Sequence, residues 1–423
     1  MSSWRGGGIK RITKRRNEKY KDIKDKTEGQ QKAMVNFTYY TPTKVLFGKD
    51  THKEVGEQLK LAGAKKVLIH YGSGSIKKSG LYDEVAASLR GSGIDFVELG
   101  GVQPNPRLTL VREGLALCRK ENVDFLLAVG GGSVIDSCKA ISLGLRYDGD
   151  VWDFYIGKAK PTEAVPVGVV LTLAASGSEM SDSSVISNEE LQRKYGCNTD
   201  IYRPRFAILN PVLTYTLPPY QTACGIVDIM AHIMERYFTT ADHVDLTDRL
   251  CEAGLKTMVQ CGPVAMAEPD NYDARAEIMW AGSLAHNGLM GTGRIPDFGS
   301  HRIEHELTAK YGIAHGAGLA IVFPAWMKYV YRRNIKIFAQ FANRVWGVEY
   351  DFEHPECMIM EGIKRLEAFY RSLDMPTRLK DIGASVEDIA ELAQKACERD
   401  GSVGKSMVLK SSDIEEILRL AAE

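Results

Sequence analysis

The sequence predicts an α/β half built on a parallel sheet, running to about Pro218, and an all-helical half from there to Glu423. Three observations predict it. Before Pro218, short apolar runs alternate with helical stretches, the pattern of strands buried on both faces of a parallel sheet. Several of those runs end in Gly/Ser-rich loops. After Pro218-Pro219 strand-like runs nearly vanish and helical periodicity dominates.

Taken in order, residues 65–71 (KKVLIHY) read as a strand ending in Gly72-Ser73-Gly74-Ser75, and 81–90 as a helix. A second strand covers 96–99 and a helix 108–121. A third strand, 125–129 (FLLAV), ends in Gly130-Gly131-Gly132-Ser133 and feeds a helix over 134–143. Residues 166–173 form a further buried strand, followed by Ala174-Ala175-Ser176-Gly177-Ser178-Glu179. Helices are expected over 223–238, 245–266, 274–286, 335–345, 357–372, 386–398 and 412–422. The Met and aromatic residues of 320–331 read as core.

Composition is that of an ordinary globular chain: 44% hydrophobic and 26% charged over 423 residues. No apolar run approaches the roughly 18–20 residues of a membrane span, and the chain does not open on a signal-peptide pattern. Eight cysteines, none in a CxxC pair, read as reduced thiols of a cytoplasmic protein and not as a disulfide framework or zinc ribbon. The net charge of zero conceals an asymmetry. Residues 1–33 hold eleven Lys/Arg against four Asp/Glu, and the rest holds 43 against 50. The acidic main body argues against nucleic-acid binding as its business. The basic extension, 1–33, reads as a disordered tail or leader, or as a docking tail for an acidic partner, nucleic acid or anionic membrane. It stands outside the expected domains, 34–218 and 219–423.

The glycine run at 130–132 lies directly between a strand and a helix. Missing side chains let backbone N–H groups approach a phosphate, and the helix N-terminus favours negative charge there. A tight turn without a ligand would look the same, and the run is neither GxGxxG nor a P-loop. The loops at 72–75 and 172–179 end neighbouring strands, and three polar loops together point to a nucleotide cleft at the strand carboxyl ends. Lys194, Arg203 and Arg205 read equally as ligand contacts or as solvated surface.

Histidines are more telling. Asp228 and His232 are four apart on an otherwise apolar helix, His301 and His305 are four apart, and His315 follows ten later. An Asp on an apolar helical face is costly to bury unless paired or metal-bound. One carboxylate with several imidazoles is a divalent transition-metal set. His52, His70, His243, His286 and His354 show no such grouping and read as structural or exposed.

These stretches resemble the iron-containing (group III) alcohol dehydrogenases, most closely the NADPH-dependent butanol dehydrogenase or aldehyde reductase branch. The matching blocks are YGSGSIKKSGLYDEV (71–85), QPNPR (103–107), LLAVGGGSVIDSCKAI (126–141), LTLAASGSEM (171–180), FAILNPVLTYTLPPYQTACGIVDIMAHIMERY (206–237) and GSHRIEHELTAKYGIAHGAGLAIVFP (299–324). They run in family order across about residues 35–423. Asn210 stands where many relatives have Asp.

The resemblance implies a Rossmann-like dinucleotide-binding domain followed by a helical metal-binding domain, as in the dehydroquinate synthase-like fold, with the active site between them. It implies Asp228, His232, His301 and His315 as ligands of one Fe²⁺ or Zn²⁺, and His305 near nicotinamide and substrate. Gly72, Ser73, Ser75, Asn105, Gly130, Gly131, Gly132, Ser133, Thr172, Ser176 and Lys194 are implied for NADP(H), with NAD(H) as the other candidate. The implied reaction is hydride transfer between nicotinamide and short or medium aliphatic aldehydes or alcohols, in a homodimer or larger assembly. The competing expectations are a lyase of the dehydroquinate synthase type, in which NAD is recycled, and a scaffold assembling through its basic tail.

Overall fold

The computed structural model describes residues 33–423; the basic extension lies almost wholly outside the described residues. The α/β half is a six-stranded sheet in the order β1-β8-β5-β4-β2-β3, with every pairing parallel. Its strands are β1 (Lys44–Phe47), β2 (Lys66–Gly72), β3 (Asp95–Val102), β4 (Phe125–Gly130), β5 (Val167–Leu171) and β8 (Phe206–Leu209). The connecting helices are α1 (Val55–Leu61), α2 (Leu81–Gly91), α3 (Leu108–Glu121) and α4 (Gly132–Gly144).

Local chemistry explains the elements. All six residues of β4 and all five of β5 are buried, as central parallel strands covered on both faces require. The helix α3 carries Arg119 and Lys120 in its last turn, where they oppose the helix dipole, and Asn122 ends it at φ 54°. Separate apolar clusters fill the two faces of the sheet.

Three features of this half escape the sequence reading. The strands β1 and β8 are only four residues long and pair with each other at one side of the sheet. An antiparallel hairpin, β6 (Ser183–Asn188) with β7 (Arg193–Asn198), stands apart from the main sheet. It is tied down where Ser187 N–H donates to the Pro106 carbonyl at 2.8 Å.

The helical half comprises α5 (Pro219–Tyr237), α6 (Asp245–Ala267), α7 (Tyr272–His286), α8 (Gly299–Tyr311), α9 (His315–Val330), α10 (Ile335–Arg344), α11 (Pro355–Ser372), α12 (Ile389–Cys397) and α13 (Ser411–Ala422). The expected single helix over 386–398 is a 3₁₀ turn, Val386–Asp388, leading into α12. One large apolar core holds this half together. Within it α9 is buried nearly all round, and Phe323, Trp326, Met327 and Tyr331 are core residues. All eight cysteines are free. Among the described residues no helix is long and apolar enough to cross a membrane.

Candidate active site

Four strands deliver loops to one edge of the sheet. β2 ends at Gly72; Ser73 is exposed, Gly74 takes φ 116°, and Ser75 opens a single helical turn. β3 is followed by the loop holding Asn105, itself at φ 58°. β4 runs into Gly130, and Gly131 caps α4 with no side-chain bond. The first N–H groups of α4, at Gly132 and Ser133, therefore lack an intrahelical acceptor and face outward for an anion. A Cβ on Gly132 would stand 2.2 Å from Ser176 Oγ, and one on Gly131 would stand 3.1 Å from Leu173 Cβ. Beside them Thr172 N–H donates to the Gly130 carbonyl at 3.1 Å, which locks the β5 loop to the glycine run.

The helix α4 also braces the 172–183 segment from below. The fully buried Lys139 amine donates to the carbonyls of Ser178, Ser181 and Ser183 at 2.7–3.0 Å. Asp136 accepts from Ser178 Oγ at 2.6 Å and Val185 N–H at 2.8 Å. Burial pulls Lys139 down to about 8, against the attraction of Asp136. Lys194, on β7, adds positive potential at Asp136, Glu304 and His305. Gly72, Ser73, Ser75, Asn105, Gly130, Gly131, Gly132, Ser133, Thr172 and Ser176 thus lie at the carboxyl ends of the strands or in the segments that follow them, whereas Lys194 lies on the separate hairpin.

Across from these loops stand the histidines. Asp228 and His232 share one face of α5, His301 and His305 lie on α8, and His315 opens α9. Three imidazole Nε2 atoms face one oxygen, Asp228 Oδ1: His232 at 3.3 Å, His315 at 3.7 Å and His301 at 3.8 Å. Ligands on a tetrahedral ion at about 2.0–2.1 Å stand about 3.3–3.4 Å apart, so the set is close to metal-binding dimensions. Among the described residues Asp228 Oδ1 and His301 Nε2 are buried with no hydrogen-bond partner, as atoms that bind a metal would be. The residues present fit a divalent metal.

Glutamates orient two of the rings. His301 Nδ1 bonds Glu235 Oε1 at 2.9 Å, and His315 Nδ1 bonds Glu304 Oε2. A carboxylate on Nδ1 leaves the Nε2 lone pair free for a metal. Burial lowers His301, but Asp228 and Glu235 outweigh it and raise the group to about 9 without metal. The His232 Nδ1 atom has no partner. Its ring packs instead against two tilted imidazoles, with centroids 4.3 Å from His286 and 4.6 Å from His301. We expect Glu235→Gln to weaken metal affinity by about 10- to 100-fold, measured by chelator competition on folded protein. Unchanged affinity would deny Glu235 that orienting role.

His305 completes the far side, 5.7 Å from His315 between centroids, with no hydrogen bond to another of the described residues. Burial, then Lys194 and His315, holds it well below the usual histidine range. Sequence reasoning missed three residues. Glu235 carries a signal, falling on the same helical face as Asp228 and His232. Glu304, three residues after His301, carries another, and Gly318 makes room for it: a Cβ there would stand 2.6 Å from Glu304 Oε1. His286 was expected to be structural or exposed; it lies against His232 instead, half-buried, because the end of α7 is brought to α5 by packing alone. His70 does behave as a satisfied core residue, bonded to Leu99 O and Ser137 Oγ.

A parallel sheet with phosphate-ready loops, facing a helical bundle with a Asp–His₃ set, defines a class of dinucleotide- and metal-dependent enzymes. Within that class the chain belongs to the iron-containing alcohol dehydrogenase family. The family models "Iron-containing alcohol dehydrogenase" and "Fe-containing alcohol dehydrogenase family, C-terminal" match residues 42–211 and 222–422. It is 44% identical to a probable NADH-dependent butanol dehydrogenase 1 of Bacillus subtilis, over 91% of this chain and 99% of that protein. It is 40% identical to the NADPH-dependent aldehyde reductase YqhD of Escherichia coli, over 86% of this chain and 93% of that protein. Among solved structures, NADH-dependent butanol dehydrogenase A of Thermotoga maritima superposes with a TM-score of 0.89 at 43% identity, covering 92% of this chain and all of that one.

Proposed function

We propose that this protein is a metal-dependent, NADPH-preferring aldehyde reductase, and in reverse an alcohol dehydrogenase, acting on short and medium aliphatic substrates. The observation that carries this reading is the convergence of three Nε2 atoms on the orphaned Asp228 Oδ1, opposite the uncapped glycine loop. Asp228, His232, His301 and His315 would hold the metal, which when bound supplies Lewis acidity to a carbonyl oxygen. A nicotinamide dinucleotide on the 130–133 loop supplies the hydride. The chain's own residues orient and dry the site. The N–H groups of Gly132 and Ser133 take the pyrophosphate, and Thr172, Ser176, Asn105 and Lys194 flank it. Glu235 and Glu304 fix the ligand tautomers.

His305 is free to move a proton. Its nitrogens are unclaimed by protein, and a neutral ring both accepts and donates. We expect His305→Ala to keep its metal and to lose about 10²-fold in kcat. Metal loss in that variant would make His305 a ligand instead.

The nucleotide preference rests on the loop after β2. Ser73 is exposed and uncharged where a carboxylate would favour the 2′-OH of NAD and repel a 2′-phosphate. Two lysines follow the loop, Lys77 and Lys78. Lys77 is held by Glu98 at 3.0 Å and lies over the Tyr71 and Tyr82 rings. Countering a 2′-phosphate therefore falls to Lys78, which is exposed. We expect Ser73→Asp to shift the kcat/KM ratio toward NADH by roughly 10-fold. An unmodified enzyme that prefers NADH would overturn the preference.

A lyase that recycles its cofactor would use a similar fold. Butyraldehyde reduction with net NADPH consumption decides against it, and a cofactor left unchanged while substrate disappears decides for it.

A further inference from the structure

The last turn of α7 meets the 172–179 loop closely. A Cβ on Gly177, at φ +63°, would come within 2.7 Å of both the Gly282 carbonyl oxygen and His286 Cβ. One residue on from Gly282, Ser283 Oγ donates to Glu179 Oε1 at 2.5 Å. At this junction His286 Nδ1 lies 2.7 Å from the Ser176 carbonyl oxygen. A carbonyl only accepts, so the proton sits on Nδ1 and Nε2 is left as a lone-pair acceptor.

That Nε2 has no hydrogen-bond partner among the described residues, and it is not sealed in the interior either. The other polar side chains buried on this helix are paired: Arg275 donates to Thr222 Oγ1 at 2.8 Å and Ser283 to Glu179. His286 differs from them in keeping an open acceptor atom, and it lies between the loop holding Ser176 and the ring of His232. Five imidazoles run in sequence there, His286, His232, His301, His315 and His305, at centroid spacings of 4.3, 4.6, 5.3 and 5.7 Å. The inner three turn Nε2 toward Asp228; the outer two keep free nitrogens.

We propose that His286 is a specificity-determining residue that accepts, through Nε2, a hydrogen bond from a hydroxyl on the carbon chain of the substrate. This rests on the reading that the Asp228 cluster marks where the reacting carbon binds. When the cleft fills with an unsubstituted alkyl chain, Nε2 loses water and gains nothing. A hydroxyl on that chain restores the bond, so diols and hydroxyaldehydes are favoured over their unsubstituted counterparts.

The test is kcat/KM for oxidation of 1-propanol, 1,2-propanediol and 1,3-propanediol by the metal-loaded full-length enzyme. His286→Phe keeps an aromatic ring against His232 but has no acceptor; His286→Leu serves if that variant does not fold. The expected result is a roughly 10-fold fall in the ratio of the better diol to 1-propanol, with His286→Gln, which keeps an acceptor, retaining most of the ratio. An equal loss on all three alcohols, or a ratio that does not move, overturns the proposal. So does a rise in the cofactor KM with the ratio intact, which would assign Nε2 to the nicotinamide. A wild-type enzyme that oxidises none of the three alcohols and reduces no aldehyde overturns the underlying reading instead.

Discussion

Replacing His301 by alanine is expected to remove the metal and aldehyde reduction together, with a loss of roughly 10³-fold or more in kcat/KM. His301 is buried between two carboxylates: its Nδ1 bonds Glu235, and its Nε2 faces Asp228 Oδ1. Taking it away leaves Asp228 with two imidazoles, and it leaves buried Glu235 without its main partner. A three-ligand site with a water in place of His301 would bind more weakly and hold a carbonyl oxygen less well. Metal content by elemental analysis and turnover are read on the same sample, with thermal unfolding to establish that it folds. A variant that keeps full metal and full turnover would show that His301 is not a ligand.

The second large effect is expected at Gly132. A valine there would place its Cβ 2.2 Å from Ser176 Oγ and 3.1 Å from Ser176 Cβ. Ser176 must swing its hydroxyl away or its loop must shift, and the branched side chain then crowds the N–H groups offered to pyrophosphate. We expect dinucleotide affinity to fall by about 100-fold, equivalent to about 2.7 kcal/mol. Metal content should stay at the wild-type level, because Asp228 and the histidines lie on other elements. Binding is read by fluorescence or calorimetry with NADPH. Wild-type affinity in a folded Gly132→Val protein would remove the glycine run from the cofactor site.

How much of this was readable beforehand depends on where each signal resides. β4 is legible because FLLAVG is wholly apolar and runs into glycines, and α3 because its helical period, basic last turn and stop agree. β1 and β8 are four residues each, too short for periodicity to separate from a loop. The β6–β7 hairpin is largely polar, and its sequences SSVISN and RKYGCN carry no strong alternation.

In the site, Asp228 and His232 announce themselves as a carboxylate and an imidazole one turn apart on an apolar helix. His286 has no such neighbour in sequence, and only the packing of α7 on α5 brings it to His232. Lys77 is a case in the other direction. Its closeness in sequence to the 72–75 loop gives no hint of Glu98, which the parallel pairing of β2 with β3 brings within reach of it.

The most direct test is the stoichiometry of a single reaction: the protein loaded with Fe²⁺ or Zn²⁺, NADPH and butyraldehyde, with NADPH consumed and 1-butanol formed both measured. One 1-butanol formed for each NADPH oxidised, and none after the metal is stripped, is the predicted result. Substrate lost with no net oxidation of NADPH, or equal reduction by metal-free protein, would contradict it.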